Sequence, residues 1–357
     1  MRIFFICPDS NKAAGGIKQI YRQVDVLNKN EISAYVLHES PFFRCTWFPN
    51  TTKIVYSKNT FAAIRGNHKN FKTLTWLEKL KKWCITLVQF FKNYGKQKHA
   101  KLSLQKKDIL VFPEIFAFAA VKVHPETKKV VYNQNCYYTY TNLDINSIPD
   151  LPYLHENTLA TIVASENAMD YMRYVFKGIT LYRVCYGMDH STFKYTRNKK
   201  KIISFMPRKL REDVLQVIHI IKQKEISANW EFREIDNMSE SQVAAVLGAS
   251  TFFLSFNHRE GFGMPPVEAM ACGCVVIGYT GQGGKEYFKK EFSYEIPDSD
   301  VQMFAKTLEE LMIAYETNSS VFIEKGKKAS DFVASEYAMA VEEETIVSTW
   351  QDILKNI

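Results

Sequence analysis

Two glutamates eight positions apart, Glu260 and Glu268, flank a glycine-rich turn in the segment REGFGMPPVEAM, residues 259–270. Gly261 and Gly263 carry no side chain, so the backbone amides there can approach a ligand closely. The Pro-Pro pair that follows suits the first turn of a helix, which puts Glu260 in the loop and Glu268 about one turn inside the helix. The positive end of a helix attracts anions, and carboxylates accept hydrogen bonds from paired hydroxyl groups. The segment therefore predicts a site for an elongated ligand with an anionic part and hydroxyl groups.

The elements that must position this segment follow an alternating pattern of strands and helices. The first series has strands RIFFIC, SAYVLH, DILVFP, KVVYNQ and TIVAS, with one helix after Gly15-Gly16 and another after Ser165. A second series begins at KIISFM and has strands TFFLSF and CVVIGY on either side of the glutamate segment. This pattern predicts two doubly wound α/β domains, 1–188 and 189–339, whose ligands bind at the carboxyl ends of the strands.

Length and composition exclude several classes of protein. With 357 residues, 46% of them hydrophobic, the chain is long enough for two domains with large cores. Its seven cysteines are scattered without the spacing of metal ligands, which favours reduced thiols in the cytosol. The opening apolar run is stopped by Pro8 and Asp9, and nowhere do about 18 apolar residues run together. We therefore expect a cytoplasmic protein without a signal peptide or a spanning helix.

The glutamate segment and its surroundings resemble a known family. Retaining GT-B glycosyltransferases of the family 4 type carry an E-x7-E signature. This chain has a similar pattern, which runs from Glu260-Gly261-Phe262-Gly263 through Glu268-Ala269-Met270-Ala271-Cys272-Gly273. The resemblance extends over nearly the whole chain, and it includes Gly15-Gly16, IVASE, YGMDHSTF and FMPRKLRED. It implies a GT-B fold, in which two Rossmann-like domains face each other across a cleft. A C-terminal helix at 340–357 would cross back to the first domain, and 189–339 would bind the nucleotide sugar.

The resemblance also implies roles for individual residues. The catalytic residues would be Glu260, Arg208 and Arg211, with Glu260 facing the transferred sugar and the arginines neutralising the leaving diphosphate. Glu268 would bind the ribose hydroxyls of the nucleotide. The other donor-binding residues would be Gly15, Gly16, Lys209, Gly261, Phe262, Gly263 and Met264, and candidate contacts to the sugar or the acceptor are Asn133, Asn135 and His258. No metal or other cofactor is implied, because positive side chains and helix N-termini can do the work of a cation.

This chain departs from the family pattern at two of these places. Where many relatives have a histidine near the donor sugar, it has Asn133, Gln134 and Asn135, which cannot act as a general base. A retaining reaction in which the leaving phosphate takes the acceptor's proton does not need one. The usual Arg and later Lys are compressed into RKLR, residues 208–211, which leaves open which cation meets the phosphates. Each position also has an ordinary interpretation, as helix-start carboxylates, a solvated basic patch or loop amides.

A basic segment lies between Arg65 and Lys107. It has twelve basic side chains and one acidic side chain, a local charge of +11, whereas the whole chain carries +8 and the remainder therefore −3. This distribution argues against nucleic acid as a partner and favours one local basic surface. Within residues 73–107, apolar side chains at helical spacing predict an amphipathic helix, with Trp76, Leu77, Leu80, Trp83, Cys84, Leu87, Phe91 and Tyr94 on its apolar face. Such a helix either packs on the first domain or lies on an anionic membrane surface.

The sequence as a whole predicts a metal-independent, retaining glycosyltransferase. Its donor would be a nucleotide-diphosphate sugar, its acceptor a glycan or a lipid-linked molecule in surface polysaccharide biosynthesis, and its place the cytoplasm or the inner membrane face. Two alternatives stay open. An epimerase of the same fold would turn over the donor without an acceptor, and a phosphorylase of that fold would need phosphate for turnover. A non-catalytic carbohydrate- or polyanion-binding protein would bind the nucleotide without turning over the donor.

Overall fold

The computed structural model describes residues 1–67, 98–141, 143, 145, 146 and 151–357. The chain forms two compact units. Unit 1 comprises Met1–Ile162, Val175–Tyr182 and Trp350–Ile357, and unit 2 comprises Val163–Tyr174 and Arg183–Thr349. These units differ in detail from a single boundary at 188/189, because the segment from Val163 to Tyr174 belongs to unit 2. The amphipathic helix predicted within 73–107 falls largely on residues outside the described part.

A parallel sheet forms the frame of unit 1. Its order is β4-β3-β2-β1-β5-β6-β7-β8, with β1 Ile3–Ile6, β2 Ala34–His38, β3 Ile54–Tyr56, β4 Ala100–Lys101, β5 Ile109–Pro113, β6 Lys128–Asn133, β7 Thr158–Val163 and β8 Leu181–Arg183. Strand β1 pairs in parallel with β2 on one side and with β5 on the other. Every residue of β1 and β5 is buried, as expected of parallel strands covered on both faces. The strand order reverses between β1 and β5, and ligands of open α/β sheets bind at the carboxyl ends beside such a reversal.

In the described part of the chain, three helices follow the strands of this sheet: α1 Gly15–Lys29, α2 Lys58–Gly66 and α3 Glu166–Val175. Helix α1 begins at Gly15, so the glycine pair lies in its first turn and not in the preceding loop as the sequence pattern had suggested. The cap residue before it, Ala14, is extended and contributes no side-chain hydrogen bond. The amides of the first turn therefore have no side-chain cap from that residue. Helix α3 begins as predicted, because the Ser165 hydroxyl oxygen accepts a hydrogen bond from the Ala168 amide at 3.1 Å.

Unit 2 is built on a second parallel sheet. Its order is β10-β9-β11-β12-β13, with β9 Lys200–Phe205, β10 Glu231–Glu234, β11 Ser250–Glu260, β12 Val275–Gln282 and β13 Ser293–Glu295. The helices of this unit are α4 Arg211–Lys222, α5 Glu240–Ala249, α6 Met264–Ala271, α7 Val301–Thr317, α8 Ser319–Glu336 and α9 Met339–Lys355. Strand β11 lies between β9 and β12, so its carboxyl end is flanked by the ends of both neighbours.

The last helix, α9, is divided between the two units, and its final residues are grouped with unit 1. There the buried Trp350 ring packs against Phe5 of β1, with ring centroids 5.6 Å apart. The Trp350 indole N–H also donates to the Gln23 side-chain oxygen at 3.4 Å. This packing explains why Trp350, in a helix whose exposed face is polar, is fully buried.

Three short strands of unit 1 were not predicted from the sequence pattern. β3 has three residues, β4 two and β8 three, which is too few for an alternating or continuous apolar run to be recognised. Helices α7 and α8 follow each other with only Asn318 between them, and this residue ends one helix and caps the next. Among the described residues, no helix is both long and apolar enough to cross a membrane.

Lys199 links the helices on one side of the second sheet. Its ammonium donates to the carbonyls of Leu247 at 3.0 Å, Gly248 at 3.1 Å and Cys272 at 2.7 Å. These carbonyls lie at the carboxyl ends of α5 and α6, where backbone oxygens have no partner within the helix. A positive charge there also complements the negative ends of both helix dipoles. The lysine thereby fixes the end of α6, the helix that carries Glu268.

Replacing Lys199 with Met should lower the free energy of unfolding of unit 2 by about 2 kcal/mol, because charge-assisted hydrogen bonds to half-buried carbonyls are lost. Urea unfolding followed by hydrogen exchange in α5 and α6 measures the change. Lys200→Met is the matched control, because the Lys200 side chain is exposed at the start of β9. Equal losses in both variants would contradict the capping role.

Candidate functional site

The glutamate segment begins where β11 leaves the sheet. The pairing of β11 with β12 shifts register between Asn257 and Glu260, and Arg259 has a left-handed backbone with φ 47°. The strand is buried up to Asn257, while His258 and Arg259 are exposed. A bulge of this kind re-aims the side chains at the end of a strand. Glu260 is thus turned out of the sheet at its carboxyl end, where the fold places ligands.

The loop after β11 interlocks with the loop after β12. A Cβ atom at Gly283 would lie 2.5 Å from the Gly261 carbonyl oxygen and 2.6 Å from that of Glu260. Both contacts are with backbone, which has no room to move aside. Gly263 has φ 87°, a conformation that favours glycine, and a Cβ atom there would lie 2.6 Å from Asn257 Nδ2. The two loops can approach this closely only because these positions are glycine.

Tyr287 fixes the glutamate loop by hydrogen bonding to its backbone. Its hydroxyl lies 2.8 Å from the carbonyl oxygens of both Phe262 and Gly263 and donates to them. Burial raises the pKa of Tyr287, and the nearby Glu260 charge adds to the shift, so the phenol keeps its proton. The Phe262 ring is buried among Tyr186, Tyr287 and Tyr337, with centroid distances of 5.3 to 5.5 Å. Phe262, expected at the donor, therefore anchors the loop through its ring and can offer a ligand only its backbone.

Lys209, one of the candidate cations of RKLR, contacts the glutamate loop. The Lys209 ammonium forms an ion pair with the Glu260 carboxylate, and both side chains are largely buried. Arg211 opens helix α4, is mostly exposed and faces Glu234 at 3.9 Å. Arg208 is exposed. The structure therefore brings Lys209 and Glu260 together at the carboxyl ends of β9 and β11, whereas Arg211 lies against the end of β10.

Helix α6 carries the second glutamate. It begins at Met264 with the Pro-Pro pair in its first turn, as predicted, and Glu268 is half-buried one turn further on. Pro265 and Pro266 have no N–H group, so the first turn of α6 offers the Met264 amide, and the glycine loop before it lies next to Glu260 along the chain. Cys272 and Cys274, at the far end of the helix, are fully buried, and the Cys274 thiol donates to the Leu247 carbonyl oxygen at 3.1 Å.

Asn257 was not singled out by the sequence pattern. It is 93% buried, and its side-chain Nδ2 has no hydrogen-bond partner among the described residues. The amide lies where the side chain of Gly263 would otherwise be. Buried donors are nearly always paired in folded proteins. The buried side-chain amide of Asn257 therefore favours a hydrogen-bond acceptor beside the glycine loop. The sequence does not show this, because it depends on where the fold places Gly263.

The loop after β12 is anchored by a charged network within unit 2. Arg183 donates to Glu286 and to Glu166, each at 2.5 Å. The Tyr337 hydroxyl donates to Glu286 at 2.9 Å, and the Glu166 amide donates to the same carboxylate at 2.8 Å. Burial raises the pKa of Glu286, while Arg183 opposes the shift. This network holds Tyr287, the next residue, in position under the glutamate loop.

The carboxyl ends of β5 and β6 form a second group of candidate residues, in unit 1. Asn133 is fully buried, and its amide donates to Tyr153 at 2.8 Å and to Thr139 at 3.0 Å. The Asn135 side chain caps the short 3-10 helix that follows by accepting from the Tyr137 amide at 3.1 Å. Both predicted sugar contacts are thus held by the fold of unit 1. Gln134, between them, is half-buried.

The glycine pair of α1 belongs to this group in unit 1. A Cβ atom on Gly16 would lie 2.8 Å from the side-chain oxygen of Gln134. The backbone N–H of Gln134 donates to the Glu114 carboxylate at 3.0 Å, and Glu114 directly follows β5. The sequence pattern missed Glu114, because a single acid after an apolar strand looks like an ordinary surface residue.

Among the described residues, no three or more His, Cys, Asp or Glu side chains form a group that could hold a metal ion. The D-x-D triplet at 298–300 lies in a loop at the start of α7. There Asp300 caps the helix by accepting from the Met303 amide at 2.9 Å. Asp298 accepts from the Gln282 side chain at 3.1 Å. These contacts account for both carboxylates.

Residues 211–329 match the family described as "Glycosyl transferases group 1". The matched stretch begins at α4 and includes the whole glutamate segment. An α-1,6-glucosyltransferase of Actinobacillus pleuropneumoniae is 25% identical over 193 residues, which are 51% of this chain and 55% of that enzyme. The chain therefore spans about half the length of this curated relative.

Solved structures show which fold this is. The sucrose-phosphate synthase of Thermosynechococcus elongatus superposes with a TM-score of 0.67 at 12% identity, covering 100% of both chains. A TarM mutant of S. aureus in complex with fondaparinux, α-GlcNAc-glycerol and UDP superposes with a TM-score of 0.68 at 10% identity, covering 99% of both. The fold is GT-B: two parallel-sheet α/β units, as the sequence pattern predicted.

Gly283→Ala should lower the free energy of unfolding of unit 2 by about 2 kcal/mol, because the new methyl group meets two backbone carbonyls that cannot yield. Thermal or urea unfolding measures the loss. Gly66→Ala is the control, since no described residue lies within 4 Å of that position at the end of α2, and the change should stay within about 0.5 kcal/mol. A Gly283 variant as stable as the control would show that the loops are not interlocked.

Proposed function

We propose that the chain is a glycosyltransferase that moves a sugar from a nucleotide-diphosphate sugar to a glycan or lipid-linked acceptor with retention of configuration. The observation that carries the proposal is the Lys209–Glu260 pair at the glycine loop that opens helix α6. A cation, the backbone amides of the glycine loop and a helix N-terminus suit a diphosphate, while Glu260 and Glu268 suit hydroxyl groups. The match to glycosyl transferases group 1 over 211–329 and the GT-B fold support the same reading.

In this proposal the cation of the diphosphate site is Lys209. Its ammonium already lies at the glycine loop, paired with a largely buried carboxylate. Arg211 is 65% exposed at its side chain and faces Glu234 across 3.9 Å, a weak surface pair. An ammonium is a mobile point charge, so Lys209 can pass from Glu260 to a phosphate when the donor binds. Glu260 is then released to accept from a hydroxyl group of the transferred sugar.

The leaving diphosphate would be stabilised by positive groups of the protein. Lys209, the amides of the glycine loop and the positive end of α6 all act on the charge that grows on the leaving oxygen as the glycosidic bond breaks. The departing phosphate takes the proton of the acceptor hydroxyl, so no side chain has to act as base. Glu268, one turn inside α6, binds the ribose hydroxyls. The buried side-chain amide of Asn257, beside Gly263, stabilises the loop when a hydrogen-bond acceptor atom reaches it.

A donor panel tests the proposed function. Thermal shift of the full chain with UDP, GDP, dTDP and CMP sugars, beginning with UDP-glucose, should show one nucleotide that raises the melting temperature. A ligand at 100 times its dissociation constant adds about 2.7 kcal/mol of stability. Turnover of that donor, measured as nucleotide release, should depend on an added glycan acceptor. Turnover that needs inorganic phosphate, or binding without turnover, would instead identify a phosphorylase or a binding protein.

Lys209→Met should weaken UDP binding about 10- to 100-fold, which corresponds to a charge-assisted hydrogen bond of about 1.5–3 kcal/mol. Arg211→Met, the matched control, should leave UDP affinity within about twofold. Glu268→Gln should also weaken UDP binding, whereas Glu260→Gln should mainly lower turnover, because a group that faces the sugar acts mostly as the bond breaks. Isothermal titration with UDP separates these effects. A larger loss for Arg211→Met than for Lys209→Met would reassign the phosphate site.

The basic segment supplies a second part of the proposal, attachment to an anionic membrane surface near a lipid-linked acceptor. Its local charge of +11 motivates this, since each Lys or Arg near an anionic bilayer contributes about 1 kcal/mol. The full chain should sediment with anionic vesicles at low salt and release at high salt, and it should ignore neutral vesicles. Neutralising Lys79, Lys82 and Lys92 together should weaken the binding about 100-fold, which corresponds to a loss of about 3 kcal/mol. Binding that is insensitive to lipid charge and to salt would contradict electrostatic attachment.

A further inference from the structure

Gln282, the last residue of β12, has an unusual backbone conformation for a residue with a side chain. Its φ is 72° and its ψ is −56°, close to the angles of a classic γ-turn, which is rare and strained. Leu210 also has a positive φ, but its ψ of 44° places it in the ordinary left-handed region. Backbone outliers persist only where the surrounding structure determines them, and they cluster at functional sites. The conformation of Gln282 therefore needs both a structural cause and a use.

The glutamate loop imposes this conformation on Gln282. The residue pairs with Glu260 in the parallel register of β12 and β11. Before it in the chain, a Cβ atom at Gly281 would lie 2.8 Å from the Asn257 Cβ and 3.2 Å from the Glu260 Cγ. After it, Gly283 faces two backbone carbonyls of the glutamate loop, which leave no room for a side chain. The chain is thus held against the glutamate loop on both sides of Gln282, and Gln282 absorbs the change of direction between them.

This position holds a residue with a side chain although glycine would relieve the strain. Residues 281, 283 and 284 are glycines, so within 281–284 Gln282 alone carries a Cβ atom. A Cβ atom excludes most of the φ/ψ combinations open to glycine, so the peptide groups on either side of Gln282 keep one orientation. The Gln282 amide also donates to the Thr280 side-chain oxygen at 3.3 Å, and its side chain donates to Asp298 at 3.1 Å. Gln282 therefore makes rigid a turn that glycine would leave flexible.

The rigidity of this turn bears directly on Glu260. Glu260 follows the bulge of β11 and pairs with Gln282, so its backbone takes its position from the strained turn. Its Cγ lies beside Gly281, and its carboxylate forms the ion pair with Lys209. In the proposed donor complex Lys209 moves to the phosphates, and the backbone pairing and the contact at Gly281 remain. A displacement of about 1 Å in a reacting group can cost about 100-fold in rate, so the orientation of Glu260 then depends on Gln282.

We propose that Gln282 is a positioning residue for the sugar transfer, whose strained backbone holds Glu260 towards the transferred sugar after Lys209 has moved to the diphosphate. The inference rests on the proposed function and deepens it by naming a residue that acts on the reaction through Glu260. The effect is exerted through the backbone, so it requires a Cβ atom at position 282 and not the side-chain amide. The turn is less stable than a glycine turn would be, and Glu260 is more sharply oriented.

Gln282→Gly in the full chain should raise stability and slow the reaction. Relief of the strained backbone should raise the melting temperature of unit 2 by about 2–4 °C, measured by calorimetry. The kcat for UDP-glucose should fall by about tenfold or more, because Glu260 loses its fixed orientation. Glu31→Gly is the matched control, since Glu31 has φ 62° in the exposed turn after α1, where helices favour glycine. It should raise the melting temperature and leave kcat unchanged. Full kcat in Gln282→Gly would overturn the positioning role.

Gln282→Ala separates the backbone from the side chain. Alanine keeps the Cβ atom and the strain, and it removes the hydrogen bond to Asp298, whose side chain is exposed. The melting temperature should therefore stay close to that of the unsubstituted protein, and kcat for UDP-glucose should stay well above that of Gln282→Gly. Equal losses of kcat in Gln282→Ala and Gln282→Gly would assign the effect to the side-chain amide and overturn the role of the backbone.

Action through Glu260 is tested by UDP binding and by a double variant. Gln282→Gly should leave the Kd for UDP unchanged, because UDP carries no transferable sugar for Glu260 to face. In a Glu260→Gln background, Gln282→Gly should cause no further loss of kcat, because both changes remove the same contribution. Multiplicative losses, or a loss of UDP affinity as large as the loss of kcat, would overturn the assignment. Failure of the proposed function is distinct, because the unsubstituted protein would then neither bind UDP nor turn over UDP-glucose.

Discussion

The backbone of the glutamate loop must pass within contact distance of the loop after β12, and much of the site depends on that constraint. Gly283 and Gly263 satisfy it by lacking side chains, and Tyr287 fixes the resulting geometry with hydrogen bonds to two carbonyls. Because both loops lie at the carboxyl ends of adjacent parallel strands, the close approach sets where Glu260 points and where α6 begins. A looser loop would leave the carboxylate without a defined partner.

Buried polar groups perform the finer positioning in both units. Lys199 joins the carboxyl ends of α5 and α6 through three carbonyls, and Arg183 joins Glu166 to Glu286. Glu114 does the same for β5 and β6 through a single amide. Each group would be costly to bury alone and is stable because its partners are supplied by neighbouring elements. Such contacts fix elements more sharply than apolar packing, because a hydrogen bond tolerates little displacement.

Much of the fold was accessible from the sequence. Apolar runs of five or six residues predicted β5, β6 and β11, and Ser165 and the Pro-Pro pair predicted where α3 and α6 begin. Strands β3 and β8, of three residues each, and β4, of two, were missed, because they carry no periodic pattern. Gly15 and Gly16 were expected in a loop, yet they open α1, because tertiary packing of the helix outweighs the low helix propensity of glycine.

For the candidate site, the sequence determined residue types and local spacing: two glutamates about a glycine turn, a cluster of cations and a row of amides. It could not decide which cation contacts the loop, because Arg208, Lys209 and Arg211 are all basic residues in one short segment. In the structure, the turn before α4 directs Lys209 to Glu260 and Arg211 to Glu234. It could not show how the fold holds Asn133 and Asn135, since their partners come from residues 2 to 20 positions away. Glu114 and Asn257 acquire significance only through neighbours at the ends of other strands. Residue chemistry is local and can be read from the chain, but partnership across strand ends exists only in the folded sheet.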